Sequence, residues 1–154
     1  MKPDVGRLLE VAVGHLMGET VPLLGRAYGH SVYEQSNVGV LGMMLLAVRH
    51  EHERAAARRV EENRELRRMF ARASAVVGAG DVSERLAAAA EGEDTDLTVS
   101  ALEESNVELR GLLIELHAAV EEIDSPEART LEEEIWRELA KSTRRRALPT
   151  LGDT

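Results

Sequence analysis

Val38-Gly39-Val40-Leu41-Gly42-Met43-Met44-Leu45-Leu46-Ala47-Val48 is the longest apolar stretch of this chain. It lies in a run from Ser31 to Ser74 that holds no proline and no glycine besides Gly39 and Gly42. With no strong breaker, the run reads as one long helix or as two helices meeting near 50–57. Its first half is apolar on most sides, as a central helix is. Its second half, Glu51 to Arg72, reads as a charged amphipathic surface helix with Arg58/Glu62 as an i,i+4 pair and Glu61/Arg64 and Glu65/Arg68 as i,i+3 pairs.

Upstream, Asp4 is placed to cap a helix from about Val5 to Met17, and Gly18-Glu19-Thr20-Val21-Pro22 breaks or kinks it before a short segment from Pro22 to Tyr28. Downstream, Val77-Gly78-Ala79-Gly80 stops the long run. Asp81-Val82-Ser83-Glu84 resembles a capping box opening a short helix to about Glu91. The acidic turn Gly92 to Asp96 reads as a mobile loop. Thr98 caps a helix whose stripe carries Leu102, Leu109, Leu112, Leu113, Leu116, Val120 and Ile123. Ser125-Pro126 restarts the chain as a last helix to about Arg145, and a frayed tail is expected over 148–154.

Two segments echo each other. Glu34-Gln35-Ser36-Asn37-Val38 with Gly42 recurs as Glu103-Glu104-Ser105-Asn106-Val107 with Gly111, and the same offset aligns Glu53/Glu122, Glu65/Glu134, Arg68/Arg137 and Ala71/Ala140. Chance similarity between Glu- and Arg-rich amphipathic helices is the alternative. If the duplication is real, 31–74 and 100–143 each form a hairpin. The fold class expected is then all-α, one helical domain with a four-helix core from two repeated hairpins plus short extra helices. Asn106 falls on the apolar stripe between Leu102 and Leu109, and Asn37 has the same relation to Tyr33 and Val40. Two buried asparagines, each with a glutamate three residues earlier, either fix helix register or hold a ligand. Asn37, Asn106, Glu34 and Glu103 are therefore the candidate binding residues.

Composition removes several chemistries. No cysteine is present, so disulfides, Cys-ligated zinc, iron–sulfur clusters and thiol catalysis are excluded. The formal charge of −9 repels a phosphate backbone, so no nucleic acid partner is expected. The apolar stretch Val38–Val48 is short of the ~20 residues of a membrane span, and charges and a glycine come too early for a secretory signal. A cytoplasmic protein without a membrane partner is expected. A ferritin-like di-iron site needs Glu-x-x-His motifs, and the chain has none. His117/Glu121 and His50/Glu53 or Arg54 share helix faces but lack the further ligands a zinc site needs, while His15 and His30 have no obvious partners. No metal site, cofactor or catalytic residue is assigned. Phosphate-binding and nucleophile-elbow motifs are missing, and Arg144-Arg145-Arg146 complements the dipole at a helix end.

Pro3-Asp4, Leu8-Leu9, Leu16, Glu19, Val21-Pro22, Leu24, Gly25-Arg26, Asn37-Val38, Leu41 and Glu51 carry a resemblance. In these positions the first third to half of the chain resembles a group of small uncharacterised bacterial helical proteins encoded near aminoglycoside-phosphotransferase-like kinases and acyl-CoA dehydrogenases. Where that group has Phe and His before the Asn, this chain has Tyr28-Gly29-His30. The resemblance implies a helical fold and no defined activity. The function expected is a non-enzymatic helical bundle acting through protein contacts, as a homodimer or accessory subunit, because Met43-Met44-Leu45-Leu46 covers more than one helix face. The alternatives are a bundle binding a small molecule or acyl ligand, and a metal-carboxylate protein using His50, His52 or His117.

Overall fold

The computed structural model describes residues 5–27 and 32–147; within its helices, the side chains of Val5, Ala27, Val32, Glu34 and Gln35 are also outside the described set. The expected Asp4 cap, His30 and the 148–154 tail lie outside the described residues. Among the described residues there are helices and no strands: α1 (Val5–His15), a π-helical turn (Leu16–Thr20), α2 (Val21–Ala27), α3 (Val32–Val77), α4 (Asp81–Ala90), α5 (Val99–Glu121) and α6 (Pro126–Arg146). The all-α class is as the sequence predicts.

Two compact units divide the chain, Met1–Ala55 and Ala56–Thr154. In the first, the expected break at 18–22 is a π turn, closed by the Val21 N–H on the Leu16 carbonyl. Pro22 has no N–H to give the carbonyl of Gly18 and its ring crowds that carbonyl, so the helix widens rather than stopping. Gly42 of α3 is a close approach in this unit, for a Cβ there would stand 2.6 Å from Met17 Sδ. Apart from Gly42 and Ala55, no described residue of this unit is buried. Leu8, Val11, Met17 and Leu23 before α3, and Val40, Leu41, Met43, Met44 and Val48 on it, are exposed. The helical run Gly6–Arg26 is also long and apolar enough to cross a membrane by length and composition, which the stretch at 38–48 is not.

The second unit holds the apolar core. Leu66, Met69, Phe70 and Ala73 of α3 meet Leu86 of α4, Leu109, Leu112, Leu113, Leu116 and Val120 of α5, and Ala128, Leu131 and Ile135 of α6. The α5 stripe is the one the heptad-like spacing predicts. Thr98 and Ser125 cap α5 and α6 as expected, accepting from the Ala101 and Ala128 N–H at 3.4 and 3.1 Å. Gly80 rather than Asp81 precedes α4, without a side-chain cap, and Ser83 instead donates to the Ser74 carbonyl at 2.8 Å. The described part of the 31–74 segment lies in a single helix, Val32–Val77, of 46 residues, whereas 100–143 is a hairpin broken at 122–125. The first segment lacks the Ser-Pro restart that breaks the second, so the two expected hairpins are one hairpin and one continuous helix.

Gly78 ends α3 with φ of 79°, a left-handed conformation that a Cβ disfavours by about 1–2 kcal/mol. Gly78→Ala is expected to lower stability by about that amount in urea denaturation followed by far-UV circular dichroism. An unchanged midpoint would mean that the turn relaxes.

Candidate functional site

A polar cluster runs through the second unit beside its apolar core. Its centre is Asn106, which is 1% exposed because its position on the α5 stripe turns it inward with Leu102 and Leu109. Facing it on α3 are Glu62 at 2% and Asn63 at 0% exposure, one turn before core residue Leu66 and two before Phe70. Asn106 Nδ2 donates to Asn63 Oδ1 at 2.8 Å and to Glu62 Oε2 at 3.4 Å, while its Oδ1 accepts from Arg146 Nη2 at 3.2 Å. Asn63 Nδ2 in turn donates to both carboxylate oxygens of Asp94, at 3.1 and 3.2 Å, and to the Leu102 carbonyl at 3.4 Å.

Each end of this chain of amides is a carboxylate held by a guanidinium. Arg146, in the last turn of α6, places Nε and Nη2 on the two oxygens of Glu62 at 3.3 and 2.8 Å, the forked geometry that makes arginine–carboxylate pairs strong. Ser142 Oγ adds a bond to Glu62 Oε1 at 3.1 Å and accepts from Arg110 Nη1 at the same distance. Burial by itself pushes the Glu62 carboxyl up, but the bond and charge of Arg146, the Ser142 hydroxyl and the charge of Arg58 together hold it below the usual carboxylate range. At the other end, Arg67 Nη2 bonds Asp94 Oδ1 at 2.7 Å and Ser105 Oγ at 2.9 Å. Burial again opposes ionisation of Asp94, and Arg67, Asn63 and Ser105 outweigh it, so its pKa is lowered.

Of the four residues the sequence singles out, Asn106 is in this cluster. Glu103 lies near its edge, half-buried and paired with Arg59. Asn37 is exposed on α3 of the first unit, not buried as its echo of Asn106 suggests, and the side chain of Glu34 lies outside the described residues. Glu62, expected on a charged helix surface, is turned inward with the charge of Arg58 still acting on it, and Glu61 pairs with Arg145 at 3.2 Å. The acidic turn expected to be mobile is instead pinned by Asp94, whose side chain is 7% exposed. Arg145 and Arg146, expected to serve the helix dipole, anchor α6 to α3 through Glu61 and Glu62, at 3.2 and 2.8 Å, and Arg145 Nη1 also bonds Glu138 of its own helix at 2.6 Å. His15, given no partner by the sequence, stands 3.1 Å from Glu19. Arg49 rather than His50 faces Glu53, at 3.5 Å.

The cluster is most closed at its Glu62 end. Asn106 and Asn63 have both amide nitrogen and oxygen engaged, and the cavity beside Glu62, lined also by Arg110, Glu138 and Ser142, is about 10 Å³, the room of roughly one water. That end fixes helices against each other, whereas at the other end Arg67, Asp94 and Ser105 border open clefts of about 490 and 570 Å³, and Arg67 Nε is buried without a hydrogen-bond partner. Comparison with known families, curated proteins and solved structures returned no match.

Two outcomes follow from this geometry. Asn106→Ala leaves Asn63 and Glu62 short of a buried partner and is expected to cost about 1–3 kcal/mol. Asn37→Ala, at an exposed position, should stay within about 0.5 kcal/mol; denaturant titration of both reads the difference. Because the folded pKa values of Glu62 and Asp94 are lowered, the unfolded chain takes up these protons first as pH falls. Their contribution is complete above about pH 4.5 and is lost below it as the folded values are approached. Asp94→Asn should flatten this acid limb in thermal melts between about pH 3 and 6.

Proposed function

We propose that this is a non-enzymatic cytoplasmic helical protein that acts through protein contacts, with a second copy of the chain as its first partner. The supporting observation is the imbalance between the two units. The second unit encloses a core that includes Phe70, Leu86, Leu116 and Ile135 and leaves Leu97, Val99, Val107, Ile114 and Trp136 exposed, whereas the first unit buries no described large apolar side chain and exposes nine large aliphatic ones and Tyr33, with Val11 at 64% and Met44 at 60%. Burying one such side chain fully is worth about 1.5–3 kcal/mol, so nine that are about half exposed represent roughly 10 kcal/mol per copy. Two copies together match or exceed the about 4–15 kcal/mol that association costs in lost freedom.

Lipid is the second candidate to cover this surface, favoured by the length and apolar character of Gly6–Arg26. Within that run, however, Glu10 and Glu19 are exposed. An acidic side chain at the centre of a membrane span costs about 3 kcal/mol. A protein interface leaves such groups at its wet rim. The bonds that tie Glu62 of α3 to α5 and α6 support a structural role for that end of the polar cluster, in keeping with contact rather than catalysis.

Sedimentation velocity over about 5–500 µM is the test. The expected result is a dimer that the double substitution Met43→Glu and Met44→Glu converts to monomer while the second unit keeps its helical signal. A wild-type monomer across the whole range would overturn the self-association. Flotation of that monomer with phosphatidylcholine vesicles would assign the surface to lipid instead.

A further inference from the structure

We propose that His117, Glu121 and Glu132 form a binding site for a divalent transition-metal ion, with Zn²⁺ the best fit. This inference lies wholly within the second unit and does not rest on self-association. His117 and Glu121 are one turn apart on α5, and the sequence offers them no third ligand. The fold supplies it. Glu121 ends α5, the turn at 122–125 reverses the chain, and Pro126 starts α6, so Glu132 returns beside the last turn of α5. One ligand atom from each of the three lies within 4.8 Å of the others.

The imidazole is set for this role. His117 Nε2 is shielded from solvent and has no hydrogen-bond partner, and Glu121 Oε1, at 3.7 Å, is too distant to supply one. Trp136 meets the imidazole edge-on at 5.2 Å between ring centres and limits its rotation. A tetrahedral zinc with bonds of about 2.0–2.2 Å places its ligands roughly 3.3–3.5 Å apart. The His117–Glu121 separation is close to that value. The remaining adjustment falls on glutamate side chains, of which Glu121 is 59% exposed and free to re-orient. One imidazole and two carboxylates make a borderline-hard donor set, suited to Zn²⁺ over Mg²⁺ and leaving a fourth position to water. The cation also offsets the repulsion between the two glutamates.

Trp136 is the chain's one tryptophan, so its emission reports on the site without a label. Chelator-treated full-length protein is titrated with Zn²⁺ at pH 7.5 while Trp136 fluorescence is followed, and Co²⁺ is used in parallel for its visible absorption. The expected result is saturation at one cation per chain. Glu132→Gln and Glu121→Gln should each weaken binding about 10–100-fold without change in far-UV circular dichroism. No saturable response up to about 1 mM Zn²⁺ would overturn the site and leave an ordinary His–Glu pair. Equal affinity in wild type and both variants would overturn it as well, assigning the cation to the acidic surface at large.

Discussion

The Glu62 carboxylate is 2% exposed, and a charge so placed is tolerated only when its oxygens are met by donors of the right geometry. Arg146, Ser142 and Asn106 meet them, and each comes from a helix other than the one that carries Glu62. The requirement therefore fixes the C-terminal turns of α6 and the middle of α5 against α3. Through Asn63 and Asp94 the same chain of bonds reaches the connection before α5, which apolar packing would not hold. Hydrophobic contact is tolerant of small slides between helices, and this set of directed bonds is not. Removing one member leaves others buried without partners, which costs more than the bond itself is worth.

Local chemistry was legible in the sequence wherever it depended on neighbours along the chain. Ser125-Pro126 and Thr98 announce helix starts, Gly78 a helix end, and the leucine stripe of α5 its buried face. Asn106 was visible as a polar residue on that stripe. Its partners were not, because Glu62 and Asn63 sit in Glu61-Glu62-Asn63-Arg64-Glu65, where charge on every side hides the inward face. Asp94 likewise reads as one acid among several in a glycine-led turn, and only Arg67, from a helix 27 residues earlier, shows why it is held. The echo between 34–42 and 103–111 carried Asn37 along with Asn106, yet residue type alone does not bury a side chain. No described residue near Asn37 in sequence supplies the inward surface that α3 and α6 give Asn106.

The two units differ in how they satisfy the same physical demand. The second has helices from four segments around one core and directs Glu62, Asn63 and Asn106 at each other. The first has the more apolar sequence and the less covered surface, with Gly42 close against Met17 and a π turn where Pro22 interrupts the ladder. Apolar content without enclosure is the pattern of an element completed by association, which is the basis of the proposed dimer.

Amide hydrogen exchange of the full chain at low and high protein concentration tests that account most directly. The account predicts that protection across 5–27 and 32–50 rises with concentration as the first unit gains its partner, while protection of 56–146 stays constant because that unit is closed on itself. Protection of 5–50 that is strong and independent of concentration would contradict it, for the first unit would then be stable without a second copy.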